Sequence, residues 1–163
     1  MLKERMKGMA KVAIFLATGF EEIEALTVVD LLRRVHIEVD MVSITGEKKA
    51  VGSHGIVVET DKIINQLNFT EYDMLVLPGG MPGTLNLEAC EVLMNQVDAF
   101  YEQKKYLAAI CAAPSILGHK RILGNLPLEG ENKVGRQLQW SVRRVKGSFC
   151  CLQDWKVQVP TQR

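Results

Sequence analysis

In residues 11–17, KVAIFLA, six apolar residues run unbroken after Lys11 and lead into the turn-prone TGF. A strand with one wet face alternates polar and apolar residues, so a run without alternation needs cover on both faces. The chain supplies that cover next. Ala25, Val28, Val29, Leu32 and Val35 recur at helical spacing, with Glu21 and Glu22 in the first turn and Arg33 and Arg34 in the last. Those charges complement the helix dipole at both ends. EVDMVSI (38–44) predicts a second strand, VGSHGIVVETD (51–61) a hairpin or strand pair, and DMLVLPGG (73–80) a strand ending in a sharp glycine turn. Cys90, Leu93, Met94, Val97 and Tyr101 mark a second amphipathic helix, YLAAI (106–110) a further strand, and AAPSILG (112–118) the start of a third helix. This alternation predicts an α/β fold, a mainly parallel sheet with helices on both faces.

The 163 residues suit one domain with a real core, read here as 1–163. The net charge of +1 gives no reason to expect a nucleic-acid partner. Charge is uneven along the chain. Residues 1–118 carry 11 Lys/Arg against 16 Asp/Glu, a net of −5, whereas residues 119–163 carry 9 against 3, a net of +6. The second stretch also loses clean periodicity, although LQDWKVQV (152–159) reads as a strand. No uncharged stretch reaches the roughly 18 apolar residues of a membrane span. The basic start and short apolar run loosely mimic a signal peptide, but EEIE follows at once and no convincing cleavage site is present. Cys90, Cys111, Cys150 and Cys151 do not form the pattern of a secreted disulfide framework, which favours a reducing cytoplasm.

In parallel sheets ligands bind beyond the carboxyl ends of the strands. Three loops therefore gain interest together: Thr18–Glu24, Pro78–Gly83 and Cys111–Pro114. Cys111 closes a strand and opens a helix. The strand fixes the sulfur, and the helix mouth offers unpaired N–H groups that favour thiolate over thiol. The other reading is a buried core cysteine, and spacing alone leaves the two about even. Gly79 and Gly80 alone read first as a plain β–α turn, but they permit close backbone approach, so an N–H of this turn with that of Ala112 also suits an oxyanion. Glu21 and Glu22 suit the helix dipole, while Glu24, one turn in, reads either as a solvated helix-face glutamate or as a side chain that points into the crevice. A protonated Glu24 beside a thiolate donates a hydrogen bond to sulfur.

Together, KVAIFLATGFEEIEA, DMLVLPGGMPGTLNL and LAAICAAPSILG resemble the DJ-1/PfpI (ThiJ) family, specifically its DJ-1 branch, over about residues 10–118. The resemblance implies a flavodoxin-like fold and a homodimer. It implies a nucleophile at Cys111, a glutamate partner at Glu24, and oxyanion or substrate-binding donors at Gly79, Gly80 and Ala112. Activities it implies are a cofactor-free glyoxalase or deglycase acting on methylglyoxal-type carbonyls, redox sensing through cysteine sulfinate, and chaperone action. Some members carry a thiazole-monophosphate label, others a peptidase one. The peptidase branch typically has His directly after the nucleophile, where this chain has Ala112. No metal cluster or phosphate-binding glycine fingerprint stands in the sequence, so no cofactor is expected.

Beyond residue 118 the family pattern of a His- or Tyr-containing turn, a TSRGPG-like loop and a long final helix does not follow. Residues 119–163 are therefore read as an atypical C-terminal segment, divergent or frameshifted. His119 stands too early for the active-site histidine, and His36 and His54, without motif context, read as surface positions. His36 follows the first helix, where the family often has Gly.

Overall fold

The structure is a computed structural model that describes residues 10–122 and the backbone of residues 149–152. Strand β1 (Lys11–Leu16) leads into helix α1 (Glu22–Arg34) and strand β2 (Glu38–Ser43). Strands β3 (Lys49–Val51) and β4 (Val57–Glu59) form the expected hairpin. The short β5 (Lys62–Ile63), two 3₁₀ turns and β6 (Met74–Leu77) follow, then helices α2 (Gly83–Glu88) and α3 (Glu91–Glu102), strand β7 (Tyr106–Ile110), helix α4 (Pro114–His119) and strand β8 (Phe149–Leu152).

The main sheet has the order β5-β2-β1-β6-β7-β8, and each pairing in it is parallel. Its two faces carry separate cores. Ala13, Phe15 and Ala17 face one cluster with Leu93, Val97 and Phe100 of α3 and Ile116 and Leu117 of α4. Val12, Ile14 and Leu16 face the other, with Ala25 and Val29 of α1. The unbroken apolar run of β1 is thus explained: alternate side chains of a central strand enter opposite cores. This is a flavodoxin-like α/β sandwich.

Several local expectations need correction. Helix α1 ends at Arg34, so Val35 becomes its cap and is exposed rather than part of the buried stripe. In α3 the buried stripe is Leu93, Val97 and Phe100, while Tyr101 is exposed, with a hydroxyl that favours water. Cys90 is the residue before α3, not a member of it. Helix α2 and strand β5, of six and two residues, are too short for periodicity to reveal. The last strand among the described residues is Phe149–Leu152, and the strand predicted at 152–159 lies, apart from Leu152, outside them.

Candidate functional site

Strands β1, β6 and β7 are neighbours in the sheet, so the loops after them meet at one end. The backbone ties the first two directly: Glu21 N–H donates to Gly79 O at 3.0 Å, and Gly83 N–H to Gly19 O at 3.1 Å. The turn after β6 needs its glycines. Gly80 has φ +95°, and a Cβ there would run into the backbone of Phe20 and Glu21.

Cys111 directly follows β7 with φ +56°, and it is exposed. A non-glycine residue in left-handed conformation costs energy that the surrounding fold must offset, and such residues cluster at functional sites. The turn Cys111–Ala113 then feeds α4, where Pro114 occupies the first turn without forfeiting a hydrogen bond. Of the two readings of this cysteine, the presented thiol agrees with its exposure.

The position that relates Cys111 to Glu24 is Gly79. A Cβ built on Gly79 would stand 2.6 Å from Glu24 Oε2, 2.9 Å from Cys111 Cβ and 3.0 Å from Ile110 O. A carboxylate and the cysteine side chain therefore crowd one point, and only a residue without a side chain leaves room between them. The amide of Gly79 donates to Glu24 Oε2 at 2.8 Å. This changes one expectation. The Gly79 N–H is directed at the carboxyl group and not into the crevice, which leaves the backbone of Gly80 and Ala112 as the candidate oxyanion donors.

Two charged residues that sequence reasoning passed over lie beside the site. Glu22 is only 4% exposed. It accepts from His54 N–H at 2.8 Å and from Ser53 Oγ at 3.1 Å, and its Oε2 lies 2.9 Å from His54 Nδ1. The His54 side-chain bond is the chief cause that holds the Glu22 carboxyl down to about 2. The same bond, with the charges of Glu21 and Glu22, raises the His54 imidazole above its usual value. Glu21, Glu22 and His54 bring ligand-type atoms within 4.8 Å of one another. The hydrogen-bond donors of Ser53 and His54 meet the Glu22 oxygens, so these residues form an ion-paired clasp. His54 is an exposed residue, as expected, but a paired one. His119 pairs with Glu88 at 2.6 Å, and His36 takes φ +59° after α1.

The DJ-1/PfpI family model matches residues 10–145. The chain belongs to this family. The match runs past residue 118, where the quoted motifs stop. Protein DJ-1 homolog A of Arabidopsis thaliana is 33% identical over 105 residues, which is 64% of this chain and 27% of that protein. A protein of Bacillus subtilis (strain 168) described as putative cysteine protease YraA is 29% identical over 128 residues, 78% of this chain and 75% of that one. The chain spans about a quarter of the length of the two Arabidopsis DJ-1 homologs it matches. Among solved structures, oxidized Toxoplasma gondii DJ-1 superposes with a TM-score of 0.68 at 34% identity, over 71% of this chain and 64% of that one. Among the described residues no helix is long and apolar enough to cross a membrane.

Proposed function

We propose that this member of the family is a cofactor-free, cysteine-dependent enzyme acting on methylglyoxal-type carbonyls or their adducts. The observation that supports this reading is the crowding of Glu24 Oε2 and Cys111 Cβ around Gly79, beside an exposed cysteine with positive φ. Cys111 thiolate adds to the aldehyde carbon and forms a hemithioacetal, with the developing oxyanion held by the amides of Gly80 and Ala112. Glu24 moves the proton from that carbon to the neighbouring carbonyl carbon, which yields a thioester. Water cleaves the thioester, returns the thiol and releases a hydroxy acid. Methylglyoxal plus water thus becomes lactic acid, with no net oxidant or reductant.

The protein functions in this reading as one domain and as a homodimer. Exposed Ile23 and Leu31 on one face of α1, with Ile56 and Val57 at the nearby hairpin, supply an apolar surface for a second copy. The deciding experiment compares methylglyoxal consumption by the wild-type protein and Cys111→Ser. Loss of consumption in the variant upholds the enzyme. Equal consumption overturns it and favours a redox-sensing protein, whose exposed Cys111 thiol would oxidise to sulfinate.

A further inference from the structure

Glu22 and Glu24 belong to the first turn of α1 yet project about 200° apart around the helix. Each is held. Glu24 reaches Gly79 N–H, and Glu22 reaches Ser53 and His54 at the tip of the β3–β4 hairpin. Gly52 is part of the same contact, because a Cβ on it would collide with the Glu22 carboxylate. The hairpin is also pinned through the backbone. Ser53 N–H donates to Phe20 O at 2.8 Å and Gly19 N–H to Val51 O at 2.7 Å. The backbone contacts set where the loop lies. The side-chain contacts on opposite sides set how the first turn is rotated.

We propose that the Glu22–Ser53–His54 clasp is a positioning device for Glu24, and through it for the state of the Cys111 thiol. The proposal rests on the reading of Cys111 and Glu24 given above. A helix whose first turn is gripped on one side only can roll, and a small roll moves a carboxyl group by the fraction of an ångström that decides a hydrogen bond. Glu22 is suited to the task. It is buried, ionised and met by the amide and the imidazole of His54, with the single Ser53 hydroxyl hydrogen shared between it and Glu21, so its position is strongly determined. The charged groups facing His54 are Glu22 and Glu21, the latter at 3.8 Å. Neither Glu22 nor His54 is assigned contact with substrate; both are positioning residues.

The test follows alkylation of Cys111 by iodoacetamide against pH, read on the Cys111 peptide by mass spectrometry. The full chain is compared with Glu22→Gln, His54→Gln and Glu24→Gln. With the clasp cut, the apparent thiol pKa rises by about one pH unit toward the free value near 8.5, a tenfold loss of thiolate below both values. Glu24→Gln moves it in the same direction, and combining Glu24→Gln with His54→Gln adds nothing further. Folded clasp variants with the wild-type profile, beside a shifted Glu24→Gln, overturn the inference and leave the proposed function standing. A wild-type thiol that itself titrates near 8.5 overturns the proposed function, and the inference with it. Should Glu22→Gln fail to fold, His54→Gln decides, because His54 is exposed at a hairpin tip.

Discussion

Gly79 donates its amide hydrogen to Glu24 Oε2 at 2.8 Å while its missing side chain leaves the space that Cys111 Cβ and that same carboxyl oxygen share. One residue thus sets the approach of two others. It links the strand that ends at Leu77 to the loop after β7 and to the first turn of α1.

Gly79→Ala tests this arrangement. The added methyl meets an oxygen, a side-chain carbon and a backbone carbonyl, and the carbonyl at least has no freedom to turn away. Such overpacking costs about 1–3 kcal/mol. Carbonyl consumption should fall at least tenfold, because the methyl pushes Glu24 and Cys111 apart. Denaturant unfolding and a substrate assay on the same preparation separate the two effects. Unchanged activity would mean that the two side chains do not need to meet.

Tyr72→Phe provides the opposite case. Tyr72 is fully buried, donates to Asp40 Oδ2 at 2.6 Å and accepts from Lys62 Nζ at 3.1 Å, with Lys11 Nζ 5.1 Å from its ring centroid. It precedes β6, at the end of the strand remote from the turn at Gly79. Removing the hydroxyl leaves Asp40 short of a donor and should cost about 1–3 kcal/mol. The pH profile of Cys111 alkylation should not change. Stability lost without a thiol shift shows that the profile reports the site and not the general firmness of the fold.

The readable and unreadable parts of the molecule divide on sequence distance. KVAIFLA and YLAAI announce buried strands because their patterns are local, and Cys111 draws notice because it stands where such a run meets Pro114. The α/β class follows from that alternation. Positions of Glu24 and Gly79 were suspected, but which donor serves which acceptor was not, since that depends on how two loops 55 residues apart approach. Glu22 looked like a dipole residue and His54 like a surface residue. Their pairing across 32 residues has no periodic trace, and only the hairpin's return onto α1 creates it. Val35 and Tyr101 failed for a different reason. Helical spacing identifies a stripe, but it does not say where the helix stops or which of two adjacent aromatic residues turns inward.

Acid and base should act on the clasp in opposite ways. Glu22 has a carboxyl depressed to about 2, so its contribution is complete above the ordinary value of 4.5 and is lost as pH falls through about 2. His54 is raised above 6.5, so its contribution is complete below 6.5 and is lost as pH rises through the raised value. Both are fully present between about pH 4.5 and 6.5. The stability difference between the wild-type protein and His54→Gln, from urea unfolding, should therefore be larger at pH 5.5 than at pH 9. A difference independent of pH would show that the ion pair contributes nothing beyond its neutral hydrogen bond.

Three helices end in the same unusual way. After α1, α3 and α4 the chain turns through His36, Lys104 and Arg121, with φ of 59°, 58° and 57°. In each case the next amide bonds back to a carbonyl five residues earlier: Ile37 to Leu32 O, Lys105 to Phe100 O and Ile122 to Leu117 O. This is the Schellman arrangement, in which glycine normally takes the left-handed position. A side chain there costs about 1–2 kcal/mol in the folded state, whereas glycine costs somewhat less through its freer unfolded chain. His36→Gly and Lys104→Gly should each stabilise the protein by about 0.5–1 kcal/mol, seen as a raised urea midpoint with an unchanged slope. His36 precedes β2 and Lys104 precedes β7, at the end of the parallel sheet remote from Cys111, and the alkylation profile should stay as it is. A lowered midpoint would mean that the His36 or Lys104 side chain makes a contact worth more than the backbone strain it imposes.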